Sequence, residues 1–298
     1  MTFKSDFRPD LLEGKVVVIT GGGSGIGLGI ARACGLHGAK VVIGGRREAK
    51  LQEACEALRK DGVKNIEGFP CDVRDPKRCE DFIKKAVEAF GTVDVLVNNA
   101  AGNFSTTIEK LSPNGFNTIM QIDLMGCFNM SKAALPYLKT SGKGLIVNIS
   151  ATLHYKAFPF QMAASSAKSA IDVLTKNIGV EWGTDYGIRA VSVAPGPIEN
   201  TVGGPGGRVF GKMLGADGGP DLREFVPIGR FGTVDDIGNT ILFLASDAGS
   251  YINATTIVVD GGQYHEASGR YLLAKRKIAE ASDKERQTHK GGVERAKM

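Results

Sequence analysis

Short apolar runs recur along the chain at residues 16–20, 41–45, 66–71, 93–98, 145–150, 189–193 and 256–259. Runs of that length without a polar face read as strands buried on both sides, the habit of parallel sheets. Amphipathic stretches lie between them: 26–36 after a glycine cluster, 49–59 with charges alternating with Leu and Ala, and 166–183 with apolar residues at helical spacing. The alternation predicts right-handed β-α-β crossovers and an α/β fold, a doubly wound parallel sheet of Rossmann type, as one domain over residues 10–265. Two stretches break the pattern. Residues 199–221 are dense in glycine with little periodicity, the composition of a mobile loop or lid. After Gly262 the chain becomes Lys/Arg-rich and polar, which predicts a C-terminal extension, 266–298, packed on the domain or partly disordered.

Composition narrows the classes. With 298 residues, 42% hydrophobic and 23% charged, the chain has material for a large core and none of the bias of disordered or fibrous sequences. The net charge of +5 comes from basic residues scattered along most of the chain, which disfavours a nucleic-acid surface and suits a small anionic ligand. Five cysteines, Cys34, Cys55, Cys71, Cys79 and Cys127, lie far apart without metal-ligand spacing and read as reduced, buried thiols, so no metal is expected. No apolar run approaches the roughly 18 residues of a membrane helix, and no secretory leader is apparent, so an intracellular compartment is expected.

Chemistry first enters at Thr20-Gly21-Gly22-Gly23-Ser24-Gly25-Ile26-Gly27, between the first strand and the first helix. Glycines there permit a tight turn and close backbone approach to a pyrophosphate, and the helix N-terminus adds amides and a positive dipole. Gly21, Gly23, Ser24, Gly25, Ile26 and Gly27 are therefore candidate cofactor contacts. The second strand ends Gly44-Gly45-Arg46-Arg47, where a carboxylate would bind a ribose 2′-hydroxyl and a guanidinium a 2′-phosphate. Two arginines and no acid favour NADPH over NADH. Arg46 is the main candidate; Arg47 either joins it or caps the next helix.

These features, with Cys71-Asp72-Val73, Asn98-Asn99-Ala100-Ala101-Gly102 and Pro195-Gly196-Pro197-Ile198, resemble the motif series of the short-chain dehydrogenase/reductase family over roughly residues 10–265. The resemblance implies that Asp72 and Val73 hold the adenine, Asn99 and Ala100 the adenosine side, and Pro195, Gly196 and Ile198 the nicotinamide amide. It also exposes a departure. The family reduces carbonyls with a tyrosine four residues before a lysine, a serine at the preceding strand end and an asparagine on the central helix. Here Lys168 is present, but those three positions are Ala164, Ala151 and Asp123.

Ketone reduction needs an acidic hydroxyl beside the oxygen that becomes an alcohol. Reduction of a conjugated dienoyl thioester does not: hydride adds at the remote end of the diene, the thioester oxygen takes the charge, and a carbon is protonated. The departure, together with Asn103-Phe104 after the Asn98 motif and the pair Asp123 and Lys168, resembles the peroxisomal 2,4-dienoyl-CoA reductase branch of the family. That resemblance implies reduction of a 2,4-dienoyl-CoA to a 3-enoyl-CoA. Lys168 would bind the nicotinamide ribose and raise the local positive potential, and Asp123 with an ordered water would deliver the proton.

An acyl-CoA substrate calls for arginines and a greasy slot. By the resemblance Arg46 and Arg74 face CoA phosphates, Phe104 and Ser112 line the thioester region, and Arg208 contacts the acyl-CoA from the glycine-rich stretch. Tyr155 is an auxiliary substrate contact, and His154, with no carboxylate apparent beside it in sequence, reads as a loop histidine. The end of the chain, Ala296-Lys297-Met298, is similar to a Ser-Lys-Leu peroxisomal signal, implying an import receptor and a peroxisomal or related microbody address. The family also suggests a homotetramer. Two alternatives stand beside this reading: another enoyl- or ketoacyl-thioester reductase of the same fold with Tyr155 as acid, and a non-catalytic NADPH-binding sensor.

Overall fold

The first strand explains the architecture. In β1, Val16–Thr20, every residue is buried. Val17 and Ile19 enter one apolar core, Val16 and Val18 a second on the opposite face. Strand side chains alternate between faces, so both faces of this strand must be covered by helices. The same split recurs in β2, Lys40–Gly45, where Val41 and Ile43 face one core and Val42 the other, and in β4, Val95–Asn98, where Val95 and Val97 oppose Leu96.

The computed structural model describes residues 5–201 and 226–265. Within them, β1, β2, β3 (Ile66–Pro70), β4, β5 (Leu145–Ile149), β6 (Arg189–Pro195) and β7 (Thr255–Val259) form one parallel sheet in the order β3-β2-β1-β4-β5-β6-β7. Each predicted apolar run overlaps a strand, with ends displaced by at most two residues. On one face lie α1 (Gly25–Leu36), α2 (Glu48–Lys60) and α7 (Val234–Ala245), contributing Ile30, Leu51, Leu58, Ile237 and Ile241 to the first core. On the other lie α3 (Pro76–Phe90), α5 (Gly126–Ser141) and α6 (Met162–Tyr186), contributing Phe82, Ile83, Met130, Leu138 and Ile178 to the second.

Two helices not assigned from periodicity carry clear start signals. Asp75 accepts from the amides of Lys77 and Arg78 with Pro76 at the first helical position of α3, and Thr233 and Asp236 form a capping box at α7. Helix α6 begins four residues before its predicted start. The glycine-rich candidate lid, with Arg208, the extension 266–298 and the tripeptide Ala296-Lys297-Met298 fall almost entirely outside the described residues.

Strand order reverses between β1 and β4, and in open parallel sheets the crevice beyond the strand ends at such a point is where ligands bind. At the opposite end of the sheet one side chain joins three carbonyls. Arg189, at the start of β6, donates to the carbonyls of Leu244, Gly249 and Ile252 at 2.8–3.0 Å, fastening the end of α7 and the approach to β7. Replacing Arg189 by Met leaves three carbonyls without that donor, so the unfolding free energy should fall by about 3 kcal/mol. Urea denaturation should show a lower midpoint with an unchanged slope; a shift below about 0.5 kcal/mol would show that the clamp is not needed.

Candidate active site

At the end of β1 the chain turns through Gly21 at φ +67°, and a Cβ there would lie 2.9 Å from the Asn99 amide. Gly27 is more crowded still, with Asn99 Nδ2 at 2.4 Å and the Gly21 carbonyl at 2.5 Å from such a Cβ. These two glycines are thus required by packing. Gly23 is not, since a Cβ would meet Leu51 and Lys50 only at 3.6 Å, an ordinary contact. Ser24 occupies the N-cap of α1 without making a side-chain cap, which leaves the first-turn amides at Gly25, Ile26 and Gly27 to an external acceptor. An open loop before an uncapped helix start fits a dinucleotide pyrophosphate.

Asn99 serves this loop in a way its sequence position did not reveal. Its Nδ2 donates to the carbonyls of Thr20 (2.9 Å) and Gly21 (3.3 Å), while the amides of Asn99 and Ala100 both donate to Thr20 Oγ1 at 3.0 Å. Asn99 is a strut between β4 and the glycine turn.

At the adenosine corner, Arg46 is exposed and Arg47 stands at the N-cap of α2 without a side-chain cap bond. Asp72 is gripped by Arg74, whose Nε lies 2.9 and 3.2 Å from the two carboxylate oxygens. The Arg74 hydrogen bond, with a smaller push from the Arg46 charge, holds the Asp72 carboxyl below its usual range against the opposing effect of burial. Val73 is buried, and its carbonyl accepts from Asn129 on α5. An open cleft of about 450 Å³ runs from this corner to α4 (Pro113–Met120), lined by Asp72, Arg74, Arg78, Asn114, Asn117 and Gln121. At the other end of the site, Pro195 and Ile198 are buried, the Gly196 amide bonds the Val259 carbonyl, and a Cβ on Gly196 would strike Asp260 at 2.6 Å.

Lys168 and Asp123 meet in the interior. Lys168 Nζ donates to the Ile149 carbonyl at 2.9 Å and lies 3.2 Å from Asp123 Oδ2, with the two residues only 8% and 1% exposed. Asp123 sits in a π-helical turn, Gln121–Met125, between α4 and α5, a local widening often found at functional sites. Its Oδ1 accepts the Gly102 amide at 2.7 Å; its Oδ2 has the ion pair but no aligned hydrogen bond, leaving lone-pair capacity for a water. Ala164, where the family's tyrosine would stand, is buried. Phe104 is half-exposed with its ring against Gly115, and Ser112 caps α4 through the Gly115 amide, so these two candidates are brought together.

His154 does have a carboxylate partner, contrary to the expectation from sequence. Its Nε2 lies 2.8 Å from Asp172 Oδ2, both side chains nearly buried, and the Tyr155 hydroxyl donates to the same oxygen at 3.3 Å. Asp172 stands one helical turn beyond Lys168 on α6, and its partner comes from the loop after β5, so only the folded chain joins them. Burial works against the Asp172 charge, but hydrogen bonds from His154 and Ser150 outweigh it and lower its pKa. Tyr155 is pushed up to about 12 by burial and by the Asp172 charge, and its ring packs edge-on against Tyr264. Its hydroxyl is directed at Asp172 within the fold.

A parallel sheet with a glycine turn at its switch point, and a buried lysine one strand-end away, defines a nicotinamide-dependent oxidoreductase of Rossmann type. The chain belongs to the family described as "Enoyl-(Acyl carrier protein) reductase", whose model matches residues 21–264, within the short-chain dehydrogenase/reductases. It is 45% identical over 266 residues, 87% of either chain, to a peroxisomal 2,4-dienoyl-CoA reductase [(3E)-enoyl-CoA-producing] of Arabidopsis thaliana. It is 39% identical over 258 residues, 85% of this chain and 98% of the other, to a probable 2,4-dienoyl-CoA reductase [(2E)-enoyl-CoA-producing] of Bacillus subtilis. Among solved structures, a short chain dehydrogenase from Bacillus anthracis superposes with a TM-score of 0.75 at 39% identity, over 85% of this chain and 98% of that one.

The Asp172 carboxyl has a lowered folded pKa, so its contribution is complete above the ordinary carboxyl value of 3.8 and disappears as pH falls through the folded one. Asp172→Asn should therefore cost about 2 kcal/mol at neutral pH, a gap that closes in acid below about pH 4. Urea unfolding across a pH series measures it; a constant gap would show that the charge is not what matters.

Proposed function

We propose that this chain reduces 2,4-dienoyl-CoA thioesters to 3-enoyl-CoA with NADPH, in the breakdown of unsaturated fatty acids. The observation that carries the reading is the buried Lys168–Asp123 pair beside alanines at the two positions where a carbonyl reductase keeps hydroxyls. The names of the plant and bacterial relatives point to the same substrate class.

The bound dinucleotide supplies a hydride. Everything else falls to the protein. The uncapped start of α1 and the glycine turn receive the pyrophosphate, Arg46 the 2′-phosphate, Asp72, Val73, Asn99 and Ala100 the adenosine side, and Pro195, Gly196 and Ile198 the carboxamide. Lys168, fixed by the Ile149 carbonyl, holds the nicotinamide ribose and places a positive charge where the thioester oxygen gains electron density. Asp123, fixed by the Gly102 amide, uses its unaligned Oδ2 to orient a water that protonates carbon. Hydride at the far end of the diene and the proton at its near end would remove one double bond and leave the other between them, at the 3-position. Ala164 withholds a competing acid from the oxygen. Arg74 and the cleft toward α4 face the CoA phosphates, with Phe104 and Ser112 at the thioester. A peroxisomal address follows the eukaryotic relatives' names, and exposed Met125, Phe128, Val173 and Val180 on neighbouring helices support assembly into a homotetramer.

Purified protein should oxidise NADPH with a 2,4-dienoyl-CoA and not with a 3-ketoacyl-CoA. Asp123→Asn, which keeps an acceptor for the Gly102 amide but removes the charge, should lower kcat by about a hundredfold, and Lys168→Ala by at least as much. Arg46→Ala should raise the KM for NADPH by about tenfold and leave that for NADH unaltered, the loss of one charge-assisted contact. NADPH binding without turnover of any acyl-CoA would replace this reading with a sensor.

A further inference from the structure

Phe160 holds a backbone conformation that bulky residues avoid. Its φ is +66°, in the left-handed region, whereas most other turns of this kind among the described residues are made with glycine. For a side chain with a Cβ that conformation is unfavourable by roughly 1–2 kcal/mol, and a bulky residue is seldom found there. Core packing does not explain the choice, since Phe160 is 44% exposed. An outlier of this kind, held by its surroundings and open to solvent, is a reason to look for function.

The surroundings hold it firmly. The Thr106 amide donates to the Phe160 carbonyl at 3.2 Å. The next residue, Gln161, is 2% exposed, accepts from Asn103 Nδ2 at 2.7 Å and donates to Ser105 Oγ at 2.9 Å. The segment 103–106 after β4 and the segment 160–161 before α6 thus run side by side, laced through one buried amide. The first segment begins at Asp123, because Gly102 gives its amide to that carboxylate. It then carries Phe104, 41% exposed, and across the lacing stand Phe160 and Met162, the latter 43% exposed. Behind them lies a small separate core of Ile119, Ala163 and Ala167 with Leu111, Phe116 and Met120.

Exposed apolar side chains therefore stand on both laced segments, a strip whose first segment leaves from the Gly102 amide held by Asp123. The phosphate-bearing part of a CoA ester has its charged partners elsewhere, along the Arg74 cleft, so the strip is left for the hydrocarbon end. We infer that Phe160 is a specificity-determining residue, and that with Phe104 and Met162 it walls the acyl chain beyond the diene. This rests on the acyl-CoA reading above. Gln161 is a positioning residue that keeps the two segments in register.

The test compares kcat/KM for deca-2,4-dienoyl-CoA with that for hexa-2,4-dienoyl-CoA, in wild type, Phe160→Gly and Phe160→Leu. Glycine accepts the left-handed turn without strain, so Phe160→Gly should keep or raise Tm. Its long-to-short ratio should fall about tenfold, the worth of about two methylenes of contact. Phe160→Leu, which keeps an apolar wall, should restore most of the ratio. An unchanged ratio in Phe160→Gly, or an equal rise in KM for both substrates, would overturn the inference while leaving the substrate class intact. A wild type that reduces neither ester would overturn the substrate reading and this inference with it.

Discussion

The ends of β1 and β4 are tied together by one hydroxyl and one amide. Thr20 Oγ1 receives the backbone of Asn99 and Ala100, and the Asn99 side chain returns to the carbonyls of Thr20 and Gly21. This knot lies at the place where strand order reverses. It fixes the glycine turn on one side and, three residues later along the same backbone, the Gly102 amide that holds Asp123. The glycine turn and the Asp123 carboxylate are therefore positioned from a single point, and neither can shift without straining the other.

Two buried ionisable side chains near the site, Lys168 and Asp172, are each held by a partner from another element. Helix α6 carries Lys168 and Asp172 one turn apart, and each finds its partner off the helix, the Asp123 carboxylate for the lysine and a hydrogen bond from His154 for the carboxylate. An unpaired charge at this depth would be expensive. Pairing α6 twice, once toward the central helix and once toward the loop after β5, fixes its rotation and depth. That loop is held at its start by Asp172 and at its end by Gln161.

Much of this could be read before folding, because the signals are local. A run of buried β-branched residues announces a strand, a glycine turn before a helix announces a phosphate site, and a lysine without its tyrosine announces altered chemistry. What escaped was long-range or conformational. His154 and Asp172 are 18 residues apart on a loop and a helix, so their pairing depends on how deeply α6 sinks against β5. Asn99 was legible as a motif residue but not as a strut, since its partners lie 78 and 79 residues away. The left-handed backbone at Phe160 has no sequence mark at all: the residue that would betray it, glycine, is missing.

Helix α4, the π turn and α5 run without interruption from residue 113 to 141. The π turn holds one residue more than an α-helical turn of the same stretch would need. Asp123 reaches Lys168 because of that count, so its placement is a matter of phase as much as of identity. Deleting any one residue of the turn other than Asp123 would rewind it to α-geometry and rotate one helix against the other by about 100°. The carboxylate would still be encoded, yet it would point away from the lysine, and a chain with every motif in place would have lost the ion pair between Asp123 and Lys168.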